Sequence, residues 1–263
     1  MHVLERGAGR AHVWLHGFMG NSLNLTPLAK DFAGAHIFPD ARNHGRSAHT
    51  PDMSIPAQAK DVISLLDSRN LPSAVLIGHS MGGKVALEVA VTWPKRVTRL
   101  VLMDIAPVDY NLMLERAGDL KFYLQQMQSI SLQGKRREQV NKELMERIRD
   151  KKVVDLLGSN LVTEAGELKW RCGVKELLGA ADHVAEWDKS QGVYTGPTLV
   201  LVGEMSRHTC RLPLRGVSLE SLYTKNLSNF QIQVIKGAGH WLHVDKQAET
   251  RQALLNFLGS ASS

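Results

Sequence analysis

Short apolar runs alternate with amphipathic stretches along most of the chain. That order predicts a mostly parallel β-sheet covered by helices. Strands are expected near His2–Glu5, His12–Leu15, His36–Pro39, Ala74–Ile77, Leu100–Met103, Thr198–Val202 and Gln231–Ile235. A helix is expected after Ser54, with Pro56 in its first turn and Val62, Leu65 and Leu66 on one face. A second should run from Met81 through Ala90, and a last one should carry Leu254, Leu255 and Leu258. From about Asp109 to Gly196 the alternation stops. No convincing strand is read there, whereas Leu120, Tyr123, Leu124 and Met127, and then Val140, Leu144 and Ile148, follow helical spacing. A structureless connection of that length is improbable. The segment 109–196 is therefore read as a helical cap inserted between two late strands of an α/β core formed by 1–108 and 197–263. Ala261–Ser263 reads as a frayed tail.

The 263 residues are 43% hydrophobic and 22% charged, the balance of an ordinary globular protein. No apolar run approaches the roughly 20 residues that span a bilayer. Met1 to Arg10 lacks a charged-then-apolar signal pattern and an Arg- and Ser-rich leader, so the sequence as it stands is read as cytoplasmic. The net charge of +6 raises the question of nucleic acid. Its surplus is concentrated between Lys135 and Lys152, where eight basic residues stand among four acidic ones. That is a charged helical face with no interleaved aromatics, and no nucleic-acid partner is expected from it. Its functional alternative is attraction of an anionic substrate such as an acyl-CoA thioester. Cys172 and Cys210 have neither metal nor redox spacing and fit a reducing compartment.

The strand ending at Ile77 runs into Gly78-His79-Ser80-Met81-Gly82, a G-x-S-x-G pattern. In a nucleophile elbow, a sharp strand-to-helix turn exposes a serine hydroxyl, and the flanking glycines remove side chains that would collide. The pattern alone is weak, since a Gly/Ser turn can produce it. Here a β-rich run precedes it and a helical pattern follows, which is the context an elbow requires. Ser80 is the candidate nucleophile.

Acyl transfer also needs donors for the negative charge that develops on the carbonyl oxygen. Losing one such donor typically costs about 2.7–4 kcal/mol. The strand His12–Leu15 is followed by His16-Gly17-Phe18-Met19-Gly20, so the backbone N–H groups of Phe18 and Met81 are the expected oxyanion donors. Gly17 lets the loop approach, and His16 is read as a structural residue at the edge of the pocket. After the last strand comes Gly237-Ala238-Gly239-His240-Trp241. His240 lies late in the chain, on a loop that can reach Ser80 across the carboxyl edge of the sheet, and is the candidate base. His243 is its rival.

The acid is less obvious. The penultimate strand ends Val202-Gly203-Glu204-Met205-Ser206, with Ser206 where an aspartate would be usual. Asp104 ends the preceding strand, in Leu102-Met103-Asp104-Ile105-Ala106-Pro107. Asp104 is favoured as the residue orienting His240, with Glu204 as the alternative.

These motifs make the chain resemble a group within the α/β-hydrolase fold, the YbfF-type bacterial esterases and the eukaryotic abhydrolase-domain-containing protein eleven. The resemblance runs nearly end to end. It rests on His16-Gly17 with Gly20, on Arg42-Asn43-His44-Gly45 followed by Ser47, and on Gly78-His79-Ser80-Met81-Gly82-Gly83-Lys84. Asp104-Ile105-Ala106-Pro107-Val108-Asp109-Tyr110, Trp170-Arg171 and Gly237-Ala238-Gly239-His240-Trp241 with His243 complete it. It implies a Ser-Asp-His esterase with a helical cap and with the acid supplied by Asp104, and it would equally allow a mitochondrial location. Two departures bear on the pocket. Gly203-Glu204-Met205-Ser206 replaces a Gly-Gly-Asn-Ser-like run, and Gly173 stands where an asparagine is common.

Tyr110, Trp170 and Trp241 join His16 and Gly17 as residues expected at the substrate pocket, although Trp170 also reads as cap core. Asp109 and Tyr110 are expected to shape its entry. Arg42, Asn43, His44 and Arg46 are read first as a hydrogen-bonded turn supporting the oxyanion loop and second as substrate contacts. The expected chemistry is hydrolysis of a small-molecule acyl ester or thioester through an acyl-enzyme, with no metal or organic cofactor. A carbon–carbon bond hydrolase or lyase on the same triad, and a non-catalytic receptor that retains the pocket, are the competing readings.

Overall fold

A computed structural model describes residues 1–30, 32–112, 116–187, 192–212 and 216–259. The expected tail Ala261–Ser263 lies outside them. The apolar runs form β1 (Val3–Arg6), β2 (Ala11–Leu15) and β3 (Ala35–Pro39), then α1 (Ile55–Ser68), β4 (Ala74–His79), α2 (Met81–Thr92) and β5 (Val97–Met103). They pair in one seven-stranded sheet with two later strands, β8 (Thr198–Gly203) and β9 (Phe230–Ile235), in the order β1-β3-β2-β4-β5-β8-β9. Only β1 runs antiparallel to its neighbour; the other pairs are parallel.

The central strands read as unbroken apolar runs because both their faces are covered. In β4, Ala74 and Leu76 pack with Val62, Leu66, Val85 and Val89 of the α1–α2 layer. Val75 and Ile77 pack into a second core with Trp14, Phe38, Met103, Leu201 and Leu254 on the opposite face. That second layer is supplied partly by α8 (Gln247–Gly259), which follows the short α7 (Leu242–Asp245). At α1 the Ser54 hydroxyl accepts the Ala57 amide at 3.4 Å, and Pro56 occupies the first turn.

Between β5 and β8 the chain leaves the sheet. It forms α3 (Arg116–Ser129) and α4 (Arg137–Ile148), where the helical spacing predicts them, and also α5 (Lys151–Gly158) and α6 (Val174–Ala185). Contrary to its sequence pattern, the segment is not free of strands. The segment also contains an antiparallel hairpin, β6 (Leu161–Glu164) and β7 (Glu167–Trp170). Its two-residue turn, Ala165-Gly166, has positive φ at both positions (52° and 84°), the twist that suits a tight hairpin.

Candidate active site

The carboxyl ends of β4 and β5 and the loop after β9 converge at one edge of the sheet, where open α/β sheets place their ligand sites. β4 turns into α2 at Ser80, whose backbone is held at φ 52° and ψ −120°, a strained conformation for a residue with a side chain. The turn closes only around glycine. A Cβ on Gly78 would lie 2.2 Å from the Gly82 carbonyl oxygen, and one on Gly82 would lie 2.2 Å from that of Leu15. Ser80 is left half-buried at the floor of a cavity of about 480 Å³.

His240 Nε2 stands 3.0 Å from Ser80 Oγ, and its Nδ1 stands 2.7 Å from Asp104 Oδ2. Asp104 is fully buried, with φ 51°. It is held by the Gly203 amide at 2.9 Å and the Thr209 hydroxyl at 2.6 Å on Oδ1, while the Ser206 hydroxyl donates to Oδ2. Four donors therefore converge on this carboxylate and fix its plane. Ser206, which marks the missing aspartate in the sequence, is part of that cradle. Glu204 faces elsewhere: it is exposed, and its Oε2 accepts the Gly237 amide at 2.8 Å.

Phe18 and Met81 both line the cavity with Ser80. Met81 opens α2, where the first amides have no intrahelical acceptor. The loop carrying Phe18 is braced from behind. The Met19 amide donates to His44 Nε2 at 3.0 Å, and the Gly20 amide donates to the Gly17 carbonyl at 3.0 Å. His16 Nδ1 donates to the Gly17 carbonyl at 2.8 Å, while its Nε2 accepts the Ala41 amide at 3.0 Å. Burial pushes His44 down to about 3 and lowers His16 as well. Both rings are thereby kept neutral, as an imidazole nitrogen must be to accept an amide.

The Arg42–Arg46 turn spends its polar groups on the same support. Arg42 forks onto Asp61 at 2.7 and 2.9 Å, and the Asn43 side chain exchanges two hydrogen bonds with the Thr50 backbone. The Arg46 and Ser22 amides converge on the Asp40 carboxylate.

Gly17, Tyr110 and Trp241 line the cavity as expected of pocket residues. Two candidates stand elsewhere. His16 is absent from the lining, since both its ring nitrogens are bound to backbone behind the loop. Trp170 ends β7, packs against the core and donates its indole N–H to the Met127 carbonyl at 3.1 Å, away from the cavity. Asp109 accepts the Asn111 amide at 2.9 Å and is also absent from the lining. His243 reaches the cavity wall but packs edge-on against His79, ring centroids 4.7 Å apart, and burial lowers it to about 4.

Three further side chains, His79, His208 and Lys84, shape the site. His79 donates from Nε2 to the His240 carbonyl at 2.9 Å, and burial holds it well below its usual range. His208 stacks on His240. Lys84, one turn after Ser80, is buried and donates to the carbonyls of Ala185 at 2.6 Å and Glu186 at 2.9 Å. It thus ties α2 to the end of α6, and burial lowers its ammonium to about 7. Only its place in the Gly78–Lys84 run singles it out beforehand.

Asp104, His208 and His240 present ligand-type atoms within 4.8 Å of one another. They make a poor metal set. The two rings lie nearly parallel, 23° apart, so their in-plane lone pairs do not converge, and the Asp104 oxygens already serve four donors.

The model of the alpha/beta hydrolase family matches residues 13–253. The chain belongs to that family. Its relatives include the mouse (Mus musculus) sn-1-specific diacylglycerol lipase ABHD11, 33% identical over 94% of this chain and 80% of that protein. Esterase YbfF of Escherichia coli K12 is 32% identical over 94% of this chain and 92% of its own. Among solved structures, a marine microorganism esterase superposes with a TM-score of 0.89 at 27% identity, covering 97% of this chain and 98% of that one. This hydrolase is thus an enzyme of the esterase and lipase type. Among its described residues, no helix is long and apolar enough to cross a membrane.

Proposed function

We propose that this hydrolase cleaves uncharged carboxylic esters through an acyl-enzyme on Ser80. The observation that carries the reading is the hydrogen-bonded chain Ser80–His240–Asp104 at the floor of a largely apolar cavity. In the proposed cycle His240 Nε2 takes the Ser80 proton as Oγ attacks the carbonyl. Asp104 accepts a hydrogen bond from Nδ1–H, fixes the tautomer and stabilises the imidazolium. The amides of Phe18 and Met81 receive the oxyanion. The alcohol leaves with the proton held by His240, and water then releases the acid with the same histidine as base.

Residues 109–196 act in this reading as a cap over a core of 1–108 and 197–263. Leu120 and Tyr123 of α3, Val153 and Leu156 of α5, and Val184 of α6 line the cavity and offer a wall for an acyl chain. Among the described residues no basic side chain of 109–196 lines it, although Arg207, outside that segment, does. Arg137 donates to the carbonyls of Gly158 and Leu161, and Lys135 and Arg147 pair with Glu143. This favours neutral esters over acyl-CoA thioesters, in keeping with relatives named as a diacylglycerol lipase and an esterase. A panel of p-nitrophenyl esters, monoacyl- and diacylglycerols and acyl-CoAs of varied chain length tests it. Ester hydrolysis that disappears in Ser80→Ala is expected. Turnover confined to vinylogous diketones, or to the thioesters, would overturn the assignment.

A further inference from the structure

His208 stands between the acid and the cavity, and the cycle above makes no use of it. Its backbone is fixed on both sides. Its N–H donates to Ser206 Oγ at 3.1 Å, and its carbonyl accepts the Tyr110 hydroxyl at 2.8 Å. Ser206 donates in turn to Asp104, and the Tyr110 oxygen accepts the Ala106 amide at 2.9 Å. The loop bearing His208 is thus tied twice to the chain leaving β5. From that mount the ring lies face-on to His240, with centroids 3.7 Å apart and planes 23° apart. The ring of His79 lies tilted at 4.8 Å and that of Trp241 at 5.9 Å, so His208 makes the tightest of the ring contacts on His240.

Two physical needs of His240 are left open by its hydrogen bonds. Bonds at Nδ1 and Nε2 hold the ring along the line joining those atoms but restrain rotation about it only weakly. A stacked neighbour supplies that restraint. The ring also becomes positively charged while Ser80 attacks, in a cavity whose walls are mostly apolar. An aromatic face is attracted to such a cation. We propose that His208 is a positioning residue that clamps His240 in the plane joining Ser80 and Asp104 and presents a π face to the charge it acquires. The inference rests on the Ser80–His240–Asp104 reading.

The test compares His208→Ala, His208→Phe and His208→Arg by ester kinetics and by the rate of Ser80 labelling with a fluorophosphonate. Alanine removes the face, phenylalanine restores it without a proton, and arginine offers a planar but charged group. In His208→Ala kcat should fall about tenfold, the scale of a desolvated cation–π contact, with KM changed less than about twofold. His208→Phe should recover to within about threefold of wild type, and His208→Arg should fall below alanine. A His208→Ala enzyme with wild-type kcat and labelling rate, or an arginine variant as active as phenylalanine, overturns the proposal. Absence of labelling at Ser80 in the wild-type enzyme would instead strike the triad reading.

Discussion

Replacing Asp104 by asparagine separates the two candidate acids, and the donors around Asp104 predict how. Oδ1 receives the Gly203 amide and the Thr209 hydroxyl, whereas Oδ2 receives His240 Nδ1 and the Ser206 hydroxyl. An asparagine keeps one oxygen and gains one NH₂. The Gly203 amide cannot reverse, so the oxygen must stay on the Oδ1 side and the NH₂ must face Ser206 and His240. The Ser206 hydroxyl can rotate to accept. His240 can accept only by moving its proton to Nε2, which then points a donor at Ser80 in place of a base. A wrong tautomer of this kind lowers kcat by about 10⁴ in serine proteases, or about 5 kcal/mol of transition-state stabilisation. Glu204→Gln keeps an oxygen for the Gly237 amide and sits on the exposed surface, so it should cost no more than about threefold. Steady-state kinetics on a chromogenic ester, with thermal melts to confirm folding, decides between them. A crippled Glu204→Gln beside an Asp104→Asn that retains a tenth or more of wild-type kcat would refute the assignment of Asp104 as the acid.

The buried Lys84 makes a prediction in alkali. Its ammonium is lowered to about 7, chiefly by burial, so between about pH 7 and 10 the unfolded chain binds the extra proton. Wild-type stability should rise with pH through that window, by at most about 1.4 kcal/mol per unit, and Lys84→Met should abolish the rise. Urea midpoints that run parallel for the two proteins between pH 7 and 9.5 would contradict this. In acid the buried imidazoles act. Burial lowers His12 and His243 to about 4 and His44 to about 3, so their stabilising contribution is complete above pH 6.5 and is lost as pH falls toward those values. The slope of stability against pH between 6 and 4.5 should therefore exceed one proton, and His44→Gln should reduce it by about one. An unchanged slope would contradict the burial argument.

The sheet was legible because β2, β4, β5 and β8 are buried on both faces and read as continuous apolar runs. The hairpin β6–β7 was not, since its strands are four residues long and Glu164, Glu167 and Lys169 break any run. Ala165-Gly166 was the one local sign of it. At the site, Ser80 and His240 each sit in a glycine-framed motif: around Ser80 close backbone approach excludes Cβ atoms, and before His240 the chain takes a positive φ of 68° at Gly237. Asp104 was favoured from an absence at position 206. What surrounds it was hidden, because Gly203, Ser206 and Thr209 reach it from about a hundred residues away in the chain. His208 lay in a stretch without periodicity, and its stacking depends on a loop whose anchors are Tyr110 and Ser206. Of the two readings open for Trp170, core packing is the one the hairpin favours: its indole N–H meets the Met127 carbonyl, away from the cavity.

The central claim is that Ser80 is a nucleophile activated by His240. The direct measurement is fluorophosphonate labelling of the intact protein, followed by peptide mapping, in wild type, Ser80→Ala and His240→Ala. One adduct per chain is expected on the peptide carrying Ser80, with no adduct in Ser80→Ala and labelling slowed by several orders of magnitude in His240→Ala. An adduct on another serine, or labelling of Ser80 at the wild-type rate without His240, would contradict it.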